Sequence, residues 1–269
     1  MKYVMPHRLL EFLDFSYPVK SILVIESDVY LKELLNLFPM AKITFCGSDE
    51  YEIETNKEKF SDKISYLQAA YNEERLPFSA ESFDIILGNG LLDENFNPQD
   101  IASGLGSFLT QTGYMLTSFS NLLFKPWLDK LILEGRSEFI VRRGYTKGDF
   151  ERLMTASFYK EVFFAKVHTD SEKEQLEEEP PFYICRAYKS VYPVREIKSL
   201  FDAETRKTLS KLIRRIEFDV DIHSNIETLR EFIHKEGIFN EYLRDFIKEA
   251  CFSHKKVAKL LEDEGILEK

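Results

Sequence analysis

The chain reads as a doubly wound, mostly parallel α/β sheet domain followed by an appendage of helices. Three observations predict this. Short apolar runs alternate with helical patterns from Ser21 to Phe119, as in βαβ units. Runs such as Ser21–Ile25 (SILVI) are apolar throughout, which suits strands buried on both faces. After Pro193 the strand patterns stop and helical spacing takes over. The boundary is therefore placed at 192/193, giving an α/β domain over 1–192 and a helical region over 193–269.

Taken in order, residues 6–15 read as a short helix, with Pro6 in its first turn and Leu9, Leu10 and Leu13 on one face. Ser21–Ile25 is the first strand. A helix follows over 29–38, with Leu31, Leu34, Leu35 and Phe38 inward. Residues 43–46 form the second strand and Gly47, Ser48 and Asp49 the turn after it. Strands three and four are 64–67 and 83–87. Gly88, Asn89 and Gly90 come directly after the fourth, where glycine lets the backbone leave the sheet at angles other residues resist.

Residues 98–109 carry the helical stripe Ile101, Leu105, Phe108, Leu109, and 113–119 the fifth strand. A helix containing Pro126 and Trp127 comes next. Thr146 is placed to cap a helix through Ala156. Two antiparallel strands, near 161–168 and 181–189, complete a seven-stranded sheet. The segment between them, DSEKEQLEEEPP, has a net charge of −5 and reads as a solvated loop. In the tail, Leu209, Leu212, Ile213 and Ile216 share a helical face, as do Ile238, Tyr242, Phe246 and Ala250, and Val257, Leu260 and Leu261. Gly237 and Gly265 suit helix ends, so three or four helices are expected.

Composition narrows the classes of function. Of 269 residues, 44% are hydrophobic, with 23 Phe and 13 Tyr, enough for a sizeable core. No apolar run approaches the ~20 residues of a membrane span, and the N-terminus carries charges where a signal peptide is apolar. Cys46, Cys185 and Cys251 show neither metal spacing nor an even disulfide set, which fits a reducing cytoplasm. The net charge is −10, and residues 1–194 hold 30 acidic against 21 basic side chains. Nucleic acid rewards basic surface, so a small molecule or a protein is the expected partner. The five histidines are scattered, and no metal site or nucleophile constellation is seen.

Ligands of open α/β sheets sit beyond the carboxyl ends of the strands, which places the expected pocket at residues 88–94. The segment Leu76-Pro77-Phe78, Ser82-Phe83-Asp84, then Leu92, Asp93, Glu94, Asn95, Phe96, Asn97 and Pro98 resembles the middle of class I S-adenosylmethionine-dependent methyltransferases. The resemblance covers residues 1–190, by order of elements more than by identity, with Glu94 where the family often has histidine. It implies a Rossmann-like fold and S-adenosylmethionine as cofactor. It also implies methyl transfer to a small molecule or sugar-type substrate, the protein mainly positioning the reactants.

The family's acid–x–Gly–x–Gly–x–Gly turn is degenerate here: the chain reads Val24, Ile25, Glu26, Ser27, Asp28, Val29, Tyr30. Glu26, Ser27 and Asp28 are candidate cofactor contacts; Ser27 or Asp28 as a cap of the following helix is the competing account. Asp49, about two residues beyond the family's ribose-binding acid, is the second candidate, with Glu50 and Glu52 as alternatives. Asn72, four residues before the LPF, stands where an Asp often meets the adenine. Gly88 and Asn89 complete the cofactor set. Asp93 and Glu94 are candidate general bases, or plain solvated loop acids. Val141, Arg142, Arg143, Gly144, Tyr145 and Thr146 resemble, without the histidine, a His–x–Arg–Phe–Phe–Thr motif of a branch found beside bacterial sugar-transferase genes. GYMLTSFSN resembles that branch's fifth strand with its Ser–x–x–Asn ending. Arg142 and Arg143 are candidate holders of an anionic substrate, or surface charges of an acidic domain. The alternative to an enzyme is a non-catalytic scaffold or binding protein that has lost the cofactor. A homo-oligomer formed through the C-terminal helices is a further expectation.

Overall fold

A computed structural model describes residues 9–60, 63–73, 75–93, 95–135, 143–167, 179–191, 195–196 and 199–268. It divides into two compact units, Met1–Val191 and Tyr192–Lys269.

The first unit is built on one seven-stranded sheet. Its strands are β1 (Ser21–Ile25), β2 (Lys42–Gly47), β3 (Ile64–Gln68), β4 (Phe83–Gly88), β5 (Leu109–Ser120), β6 (Glu161–Val167) and β7 (Phe182–Tyr188). The order is β3-β2-β1-β4-β5-β7-β6. The first five are parallel, and β7 runs antiparallel between β5 and β6. β1 lies at the centre: Val24 pairs with Phe45 on one side and Leu87 on the other, and all three are fully buried. Alternation then sends its side chains to two cores. Leu23 and Ile25 join Ile86, Met115 and Phe119 on one face; Ile22 and Val24 join Phe45, Ile85 and Leu116 on the other. This double burial is why β1 needs no polar residue among its last four.

The helices of this unit are α1 (Leu31–Leu37), α2 (Glu50–Phe60), α3 (Pro98–Phe108), α4 (Lys125–Glu134) and α5 (Lys147–Ala156). Thr146 caps α5 as expected, its Oγ1 accepting from Asp149 N at 3.1 Å. Three local expectations need correction. The helix over 29–38 is a 3-10 turn, Asp28–Tyr30, running into α1. β5 begins at Leu109, four residues early, so α3 passes into it without a loop. The 6–15 helix ends early: Leu9 and Leu10 are helical and Glu11 and Phe12 form the closing turn, Phe12 N to Leu9 O at 3.2 Å, with residues 6–8 outside those described.

α2 was not expected at all. Its sequence, EYEIETNKEKF, offers Ile53 as its one buried apolar side chain beside the buried Asn56. Such a helix shows no apolar stripe to read. Its N-terminus is fixed instead by Asp49, whose Oδ1 accepts from Tyr51 N (2.8 Å) and Glu52 N (3.4 Å).

The second unit holds, among its described residues, the helices α6 (Ala203–Glu217), α7 (Ile222–Glu236), α8 (Asn240–Ala250) and α9 (His254–Asp263). They enclose their own core, with Leu209, Ile213, Leu229, Tyr242, Ile247 and Leu261 at its centre. Asp202 caps α6 through Thr205 N at 2.7 Å, and Gly237 ends α7 at φ 65°.

Candidate functional site

The carboxyl ends of β1, β2, β4 and β5 bring together most of the residues singled out from the sequence. Glu26 follows β1 directly, at φ 47°. This left-handed conformation is one that glycine adopts freely and glutamate does not. Glu26 N donates to Cys46 O (3.0 Å), and its carboxylate crosses to β2 and accepts from Ser48 N at 2.7 Å. Ser27 is buried, and its Oγ accepts from Asn89 N at 3.0 Å, tying the loop after β1 to the loop after β4. Asp28 Oδ2 accepts from the buried Asn56 Nδ2 of α2 at 3.1 Å. Neither Ser27 nor Asp28 makes a side-chain cap for the helix that follows; each is drawn off to a distant element.

Glu26, Asp28, Asp49 and Glu52 consequently share one neighbourhood. Glu52 is pushed up to about 7, first by burial, then by the charges of Asp28 and Glu26, with a hydrogen bond to Asp28 and the charge of Asp49 adding to it. Asp49 is spent on capping α2. Among the described residues, no group of three or more His, Cys, Asp or Glu is arranged to hold a metal ion.

The loop after β4 is pinned at nearly every residue. Gly90 (φ 66°) donates its N–H to Ser118 Oγ at 3.0 Å, and Ser118 Oγ donates to Asn89 Oδ1. Leu91 O accepts from Tyr71 OH (3.0 Å) and Asn95 Nδ2 (2.5 Å). Leu92 O accepts from Tyr145 OH at 3.2 Å. Asp93 is 1% exposed; its Oδ2 accepts from Ser120 N (2.8 Å) and its carbonyl from Arg143 N (2.9 Å). Arg143 Nη2 reaches Phe96 O at 2.7 Å. Tyr145 extends the clamp, its N–H donating to Ser120 O. Burial, then the charge of Asp93, pushes its hydroxyl up to about 12, so it stays a donor.

This geometry bears on two expectations. A carboxylate as buried as Asp93, holding a backbone N–H, is a structural clamp and stands badly for a general base. Arg143 is engaged by the protein's own carbonyls and serves the same clamp. Glu94 and Arg142 lie outside the described residues. Asn72 lines a cavity of about 440 Å3 between the loop after β3 and α3. Tyr71, Leu91, Asn56 and Ser118 were not anticipated. Only Ser118 had a signal, the Ser–x–x–Asn ending of β5.

No family description matches the chain, and no curated protein matches it either. Solved structures do. An S-adenosylmethionine-dependent methyltransferase from Mesorhizobium loti is similar at 14% identity and a TM-score of 0.53, over 68% of this chain and 96% of that one. One from Thermotoga maritima is similar at 15% and 0.50, over 69% and 87%. At such identities the likeness is one of fold: this chain has the Rossmann-like fold of class I S-adenosylmethionine-dependent methyltransferases.

S-adenosylmethionine, on which those two enzymes depend, fits poorly to the residues present. The turn after β1 bears two carboxylates, those of Glu26 and Asp28. Glu26 is folded onto Ser48 N and Asp28 onto Asn56. The glycine at 88 opens no space, because a Cβ there would stand 2.5 Å from the Leu91 side chain. Glycine is needed at 88 so that Leu91 can fold back over it.

Proposed function

We propose that this is a methyltransferase-like protein whose cofactor crevice is taken up by its own side chains. It would then act as a non-catalytic scaffold or binding protein on the methyltransferase fold. One observation carries this reading: Glu26, in a left-handed conformation at the family's glycine position, spans from the end of β1 to Ser48 N at the end of β2. A carboxylate ~6 Å from the cofactor's own carboxylate, at an effective dielectric near 20, repels by roughly 3 kcal/mol, about a hundredfold in affinity.

The second reading is a working transferase acting on a small molecule or sugar-type substrate. It is favoured by the exposure of Glu26, whose carboxylate stands near the end of β2, close to where the family's ribose-binding acid belongs. Calorimetry with S-adenosylmethionine on the wild type and on Glu26→Gly with Asp28→Gly separates the two. The first expects weak wild-type binding that the substitutions improve. Micromolar wild-type binding weakened by them would make the two acids cofactor ligands and sink the first. A cytoplasmic location, a protein or small-molecule partner and self-association through α6–α9 belong to the same proposal. They rest on the acidic balance, the unpaired cysteines and the amphipathic tail. No helix of the described residues is long and apolar enough to cross a membrane.

A further inference from the structure

A cavity lies between the loop after β3 and α3, with Tyr71, Asn72 and Asn97 among its lining residues. Its floor is apolar: Leu76, Ile101, Leu105 and Phe108. Its volume, about 440 Å3, falls in the range that holds small organic ligands. Three features of its wall bear on what it could hold.

The first is Gly104, in the middle of α3. It is exposed, and a Cβ there would meet nothing within 4 Å. A glycine inside a helix is destabilising relative to alanine, and here no packing contact within 4 Å requires it. Its absence of a side chain keeps the cavity open and bares the helix backbone to a flat group. The second is Asn97, the N-cap residue of α3. Asparagine is among the best N-caps, yet this one makes no side-chain cap hydrogen bond and it lines the cavity. The third is charge. Glu73, Asp100 and Arg75 stand on the rim, all exposed, and among the described residues none of the three forms an ion pair. Two acids against one base leave the rim negative by one charge.

An open backbone platform, an apolar floor, unused amide groups and a negative rim describe one kind of ligand. We propose that the cavity between the loop after β3 and α3 binds a small aromatic cation, an amine carried on one or two flat rings. The ring lies over Gly104 against Ile101, Leu105 and Phe108. The ammonium meets the carboxylates of Asp100 and Glu73, and Asn72 and Asn97 supply amide contacts at the rim.

The test uses the full chain and two probes of equal shape and opposite charge, tryptamine and indole-3-propionate. Binding is followed by calorimetry. Tryptamine is expected to bind, and indole-3-propionate at least about tenfold more weakly, since one charge is reversed beside a net-negative rim. Asp100→Asn narrows that preference. Gly104→Leu abolishes binding of both probes, because leucine fills the platform. The same change improves helix propensity, so the melting temperature is unchanged or higher, and lost binding cannot be laid to misfolding. Absence of tryptamine binding, equal affinity for the two probes, or full binding by a folded Gly104→Leu variant would each overturn the proposal.

Discussion

Glu52→Gln tests the carboxylate neighbourhood at the ends of β1 and β2. In the folded chain Glu52 titrates near 7 instead of 4.5, because burial and the charges of Asp28, Glu26 and Asp49 disfavour its ionised form. A carboxyl group held this far above its ordinary value would carry about 3 kcal/mol at full burial; Glu52 is only partly buried, and screening by water brings this to about 1 kcal/mol. The sign follows from linkage. The folded state prefers protonated Glu52, so its contribution to stability is fully present below 4.5 and is lost as pH rises through about 7. Glutamine cannot ionise and avoids the loss. Glu52→Gln should therefore match the wild type near pH 4.5 and exceed it by about 1 kcal/mol near pH 8, roughly 2–4 °C in melting temperature for a unit of this size. Trp127, the single tryptophan, lies in the sheet unit and reports its unfolding by fluorescence. A difference that is the same at both pH values, or a glutamine variant less stable near pH 8, would show that the four acids do not strain one another.

Gly88→Ala should destabilise the sheet unit by about 1–3 kcal/mol through overpacking against Leu91, and Leu91→Ala in the same chain should recover part of that; strictly additive losses in denaturant melts would remove the contact as the reason for glycine. Asp93→Asn should cost about 1.5–3 kcal/mol by weakening the acceptor of Ser120 N, visible as a lower denaturation midpoint. An unchanged midpoint would return Asp93 to the candidate catalytic groups.

What the sequence by itself determined is the frame. A strand buried on both faces is apolar over its buried residues, so residues 22–25 and 85–87 stand out as short apolar runs with turn residues after them. The amphipathic stripes of α3 and α6 are legible because each buries one face. Thr146 announces α5 because a cap acts within three residues of itself. α2 escaped because its place is set by Asp49, Ile53 and Asn56, and not by a stripe.

The candidate site was legible only as a set of positions. Glu26, Ser27 and Asp28 are consecutive, and local pattern offered them a cap or a cofactor. The fold sends each to a different element instead: Ser48, Asn89 and Asn56, at separations of 22, 62 and 28 residues. Polar side chains near a sheet edge take the nearest unsatisfied donor, and which donor is nearest depends on strand order. β1 lies between β2 and β4 only because the sheet winds outward in both directions from it. Asn72, in the loop after the edge strand β3, lines the cavity beside α3. Residue types along the chain determined what could be buried; the sheet's strand order alone decided which acid met which amide.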